Sequence, residues 1–69
     1  MVRRMDCRVK QERQRLGLSQ EWLAREVGVS RQTIVNIERA TAIPNVLLAI
    51  AIAEKLNTPV GQLFQPNSP

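Results

Sequence analysis

Residues 20–39 read QEWLAREVGVSRQTIVNIER, and this stretch decides the architecture. Leu23, Ala24 and Val27 fall at i, i+1 and i+4, one face of a helix. Ile34 and Ile37, three apart, form one face of a second helix. Gly28 lies where the first helix must stop, because glycine enters the left-handed conformation without a Cβ clash. Ser30 then offers an N-cap for the second helix. Ala24 is small where two crossed helices would approach closely. Together these choices predict a helix-turn-helix.

The side chains left outside the apolar face carry the functional signal. Arg31, Gln32, Thr33 and Asn36 occupy the start and outer face of the second helix. Arginine matches the two acceptors of a guanine edge, and Gln or Asn matches the acceptor and donor of adenine. An ordinary solvent-facing helix would more often carry Glu, Lys or Ala, which are better helix formers. The residue types therefore predict base reading by Arg31, Gln32 and Asn36, with Thr33 against a thymine methyl or a phosphate.

The wider pattern resembles the Xre and lambda-repressor-like family of transcriptional regulators from about Val9 to Phe64. The resemblance rests on Arg13, Gly17-Leu18-Ser19-Gln20, Leu23-Ala24, Val27-Gly28-Val29-Ser30, Gln32-Thr33-Ile34, Ile37-Glu38, Pro44 and Leu63-Phe64. It implies an all-α, compact five-helix DNA-binding domain whose second and third helices form the helix-turn-helix. It also implies major-groove binding to double-stranded DNA by a dimer. By the same resemblance Arg13 pairs with Glu38, an ion pair that fixes the angle between two helices. Ser19 and Gln20, at the start of a helix, are implied to grip a DNA phosphate. Arg39 and Thr41 lie where the family's loop meets the DNA backbone, and Lys10 joins them as a phosphate contact. Where relatives usually have a glycine after that glutamate, this chain has Ala40, which predicts a slightly different helix end.

The 69 residues allow one domain. The expected divisions are a flexible basic arm over 1–6, the DNA-binding domain over 7–64, and a disordered tail over 65–69. The formal charge of +4 is concentrated at one end. Residues 1–15 hold Arg3, Arg4, Arg8, Lys10, Arg13 and Arg15 against Asp6 and Glu12, while the remainder balances at four and four. A basic end beside such a helix suits phosphate contact.

The first helix is predicted from about Cys7 to Leu16, with Val9 and Leu16 as its apolar contacts and Gly17 as its C-cap. Its apolar face is thin, since Gln11 and Glu12 stand near positions where relatives carry leucine. Ser19 caps the next helix, although Trp22 replaces the Glu of a full capping box. Trp22 itself is expected half buried at the core rim.

The fourth helix, Val46 to Leu56, is apolar without interruption from Val46 to Ala53, with Asn45 as N-cap. Ile50, Ala53 and Leu56, with Ala49 and Ile52, are assigned to the core. A helix that is apolar all round needs burial all round, which a domain of this size cannot supply. Leu47 and Ala51 are left over, and with Leu63 or Phe64 they predict a homodimer interface. Pro59 opens a short fifth helix carrying Val60, Leu63 and Phe64. A two-fold dimer would present its reading helices about 34 Å apart and bind a palindromic operator. The expected role is a repressor or autoregulator. The alternative is a protein-interaction module, such as an antitoxin or co-regulator, that uses the scaffold for a partner protein.

Other classes find little support. The sequence has no His, no Tyr and one Cys, so neither a metal-ligand cluster nor a nucleophile with a base partner can be assembled. No enzyme activity, cofactor or small-molecule ligand is expected. No apolar run spans a bilayer and no secretory signal is visible, so the expected location is cytoplasmic, with the nucleoid. Arg8 beside Cys7 would favour a lowered thiol pKa.

Overall fold

Three helices begin on side-chain caps that the sequence offers. Ser19 Oγ accepts the backbone N–H of Trp22 at 2.9 Å, Ser30 Oγ that of Thr33 at 3.2 Å, and Asn45 Oδ1 that of Leu48 at 2.8 Å. Each satisfies a donor left unpaired in a first helical turn. The computed structural model describes residues 4–67, and its order is β1 (Arg4–Cys7), α1 (Val9–Arg15), α2 (Gln20–Val27), α3 (Arg31–Glu38), α4 (Val46–Lys55), α5 (Val60–Leu63) and β2 (Phe64–Asn67). No helix among the described residues is long and apolar enough to cross a membrane.

Four of the helices also end alike, on one residue in the left-handed region: Gly17 (φ 72°), Gly28 (φ 80°), Ala40 (φ 59°) and Asn57 (φ 50°). After α3, Ala40 N–H reaches Ile37 O and Thr41 N–H reaches Asn36 O, both at 3.0 Å. This crossed pair satisfies carbonyls that the helix end leaves open. Ala40 was expected to reshape this end. Instead the left-handed turn is retained, and the alanine carries the strain that a glycine would avoid.

The core is built from Val9, Leu23, Ala24, Ile34, Ile37, Ile52, Ala53, Leu56 and Leu63. Thus α2 and α3 meet across Leu23, Ala24, Ile34 and Ile37, and α4 closes over them with Ile52, Ala53 and Leu56. Trp22 and Val27 pack against the cluster from its rim. The helix α1 contributes one buried apolar residue, Val9, and one buried cation, Arg13. Leu16, expected with Val9 as an apolar contact of the first helix, is 39% exposed beyond the end of α1.

Several expectations require correction. Residues 4–6, placed in a flexible arm, belong to β1, and residues 65–67, placed in a disordered tail, belong to β2. The two strands pair antiparallel, with Arg4 opposite Asn67, Met5 opposite Pro66, Asp6 opposite Gln65 and Cys7 opposite Phe64. A bond from Arg8 N–H to Leu63 O at 2.8 Å carries the pairing up to the start of α1. Residues 1–3 of the expected arm and 68–69 of the expected tail lie outside the described residues. Because Cys7 is held in β1, α1 starts at Val9. Burial pushes the Cys7 thiol above its ordinary pKa, and the Glu38 carboxylate adds to the rise; a backbone hydrogen bond from Val9 opposes it. The lowered value expected from Arg8 is not found.

In α4, Ile50 is 42% exposed and does not fill the core. Leu63, expected at a dimer interface, is fully buried within its own chain, and Phe64 packs half-buried against the same core. Both are used where the ribbon meets α5. Leu47 remains 79% exposed, and Ile43 and Val46 beside it are nearly as open.

Candidate nucleic-acid interface

The angle of α3 is fixed from behind by one carboxylate. Glu38, its last residue, accepts Arg13 Nε on Oε2 at 2.7 Å and the same guanidinium's Nη2 on Oε1 at 3.3 Å. Arg13 Nη1 donates to Leu18 O at 2.7 Å, so the arginine also holds the connection between α1 and α2. The side chains of the pair are only 10% and 4% exposed. A forked, two-point contact of this kind constrains direction as well as distance. Gln20, first residue of α2, completes the node by donating Nε2 to Glu38 Oε1 at 3.0 Å. A carboxylate only accepts, so the amide must turn its nitrogen inward, leaving Oε1 and one N–H proton on Gln20.

With its back secured, α3 shows a polar front. Ile34 and Ile37 are buried, Arg31 and Gln32 are exposed, and Thr33, Val35 and Asn36 are half-buried. Gln32 Nε2 donates to Asn36 Oδ1 at 3.0 Å along the outer face. The Thr33 hydroxyl lies 2.9 Å from that of Ser30, so the two form a small hydroxyl pair at the helix start.

Beside this face lies an open recess of about 260 Å³ lined by Lys10, Gln20, Arg31, Val35, Glu38 and Arg39. Three cations from two helices and a helix end surround it. Glu38 is already bound to Arg13 and Gln20, so an approaching anion meets Lys10, Arg31 and Arg39. A phosphate backbone has the shape and charge to lie along such a rim.

The predicted site residues thus divide. Arg31, Gln32, Thr33 and Asn36 share the outer and N-terminal part of α3, and Lys10, Gln20 and Arg39 gather at the recess next to it. Ser19 is exposed at the start of α2; its oxygen caps the helix while its hydroxyl proton stays available. Thr41 differs. Its hydroxyl donates to Asn36 O at 3.0 Å and its N–H goes to the same carbonyl, so both donors hold the turn after α3. Leu47 and Ala51 lie on α4 and line no part of that recess.

Val35 was not singled out from the sequence, being an apolar residue among polar ones. At about 100° per residue, Val35 falls between Arg31 and Arg39 on the outer arc, away from Ile34 and Ile37. That offset from the isoleucines was the available signal.

Known proteins share this fold. The family model described as helix-turn-helix matches residues 9–63. The chain is 40% identical over 60 residues to the uncharacterized HTH-type transcriptional regulator YgzD of Bacillus subtilis (strain 168), covering 87% of this chain and 91% of that one. Among solved structures, the restriction-modification controller protein C.AhdI from Aeromonas hydrophila superposes with a TM-score of 0.76 at 30% identity, covering 83% of this chain and 86% of that one. The N-terminal DNA binding domain of SinR from Bacillus subtilis gives 0.72 at 28% identity, covering 80% and 81%.

Proposed function

Since this chain belongs to the helix-turn-helix family of DNA-binding transcriptional regulators, which are not enzymes, we propose that it acts as a homodimer on a palindromic operator, as a repressor or autoregulator, in the cytoplasm where that DNA lies. The observation that carries this reading is the outer face of α3: unburied Arg31 and Gln32 beside Asn36 and Val35, flanked by a recess ringed with Lys10, Arg31 and Arg39. Those chemical types match base edges and phosphates in the same patch.

In this reading Arg31, Gln32 and Asn36 reach base edges, Thr33 supports the start of α3, and Val35 lies against a thymine methyl. Lys10, Arg39, the Ser19 hydroxyl and the remaining Gln20 N–H hold phosphates and set the register. Two copies meet through α4 and the loop before it, where Ile43, Val46, Leu47 and Ala51 leave an apolar surface on the monomer. Occupancy of a promoter by such a dimer excludes polymerase.

Enrichment of bound duplexes from a random pool tests the proposal. The expected product is a two-fold symmetric site whose half-sites are centred about 10–10.5 base pairs apart, or a multiple of that. Single, asymmetric half-sites would remove the homodimer. Failure to enrich any sequence would leave the exposed apolar surface of α4 as the working face, serving a partner protein.

A further inference from the structure

The amides of Gln32 and Asn36 are not independent. They stand four apart on α3, and Gln32 Nε2 donates to Asn36 Oδ1 at 3.0 Å. A free glutamine amide can present either end to a base, so its preference depends on what fixes its rotation. Here the nitrogen is turned toward Asn36. Gln32 is left with an acceptor, Oε1, and one N–H donor, side by side. Asn36 has its oxygen turned toward Gln32 with one lone pair engaged, so the end it leaves facing away carries its N–H donors.

From this inventory we infer that Gln32 and Asn36 read DNA as one coupled unit, in which Asn36 is a positioning residue for Gln32 as well as a reader. The inference rests on the DNA-binding reading above and specifies its base preference. Adenine offers N7 as acceptor beside N6 as donor, the complement of the fixed Gln32 amide. The donor-only end of Asn36 complements an edge that accepts, guanine N7 and O6 or thymine O4. It opposes cytosine, whose N4 is a donor. The half-site therefore carries adenine under Gln32 and guanine or thymine at a neighbouring position under Asn36.

The test uses the enriched duplex and its single-base variants, titrated with the full chain and with Gln32→Ala, Asn36→Ala and Asn36→Asp, each checked for an unaltered far-ultraviolet dichroism spectrum. Gln32→Ala identifies the position that Gln32 reads. There the wild-type chain is expected to favour adenine by about tenfold or more. Asn36→Ala should cut that preference to about threefold or less, besides losing its own position. Asn36→Asp keeps the acceptor that holds Gln32 but replaces the outward donor with an oxygen. It should keep the adenine preference and move the neighbouring position toward cytosine, with weaker binding to all duplexes from the added negative charge.

If Asn36→Ala leaves the adenine preference within twofold of wild type, the coupling is wrong while sequence-specific binding stands. Cytosine under Asn36 in the wild-type site would equally overturn it. A wild-type chain with no preferred sequence overturns both the coupling and the DNA-reading proposal.

Discussion

Arg13 and Glu38 show how one pair of side chains sets the geometry of a surface from behind it. The fork between them and the Gln20 amide converge on one carboxylate behind α3, and Arg13 donates besides to Leu18 O. Removing the carboxylate leaves an arginine nearly enclosed and without its partner. Glu38→Ala is expected to destabilise the chain by about 3 kcal/mol, which for a domain of this size lowers the thermal midpoint by more than about 10 °C. An unchanged midpoint in a thermal melt would show that the pair contributes nothing. Ala40 predicts the opposite sign. A left-handed alanine costs about 1–2 kcal/mol, and the greater freedom of an unfolded glycine offsets about 0.4–1 kcal/mol of the relief. Ala40→Gly should therefore raise the midpoint by a few degrees, measured in the same melt; a lower midpoint would mean that the turn after α3 is not under strain.

At the scale of elements, the contrast between α4 and the ribbon explains what was legible in the chain. The helices could be read because caps and stops are local: Ser19, Ser30 and Asn45 open helices, and Gly17 and Gly28 close them. The ribbon could not, because its signal is pairing between residues about sixty positions apart. RMDC alternates polar and apolar over only four residues, the shortest run that signals a strand, and Pro66 argues against a strand except at an edge, which is where a two-stranded ribbon places it. The ribbon also explains the misplaced Leu63 and Phe64, whose apolar character is consumed at the junction with α5. In α4 the apolar run hid its own polarity: Leu47 was set outside the core, but with nearly every position apolar, periodicity could not separate buried Ile52 from exposed Ile50. Leu47→Glu tests the exposed side. The substitution should leave the thermal midpoint of the monomer nearly unchanged. It should shift sedimentation equilibrium from dimer toward monomer by about tenfold or more in dissociation constant, the expected cost of burying an unpaired charge. An unaltered association constant would move the interface elsewhere.

For the molecule as a whole, the division of labour is between a secured back and an open front. The site types on α3 were legible because guanidinium and amide groups at a helix start have few other uses in that number. Their mutual bonds were not, since Gln20 could equally have faced solvent and Gln32 could have faced either way. The basic excess in the first fifteen residues reaches the front through Lys10 in the recess, while Arg13 turns inward to Glu38, so net charge alone overstates the phosphate grip of that segment. The central claim is that the outer face of α3 lies edge-on against base pairs in the major groove. Methylation interference on an enriched duplex tests it most directly, since modification at guanine N7 alters the major groove and modification at adenine N3 the minor. The account predicts lost binding when guanine N7 within each half-site is methylated, and little effect from adenine N3. Interference confined to adenine N3, or absent at both, would contradict it.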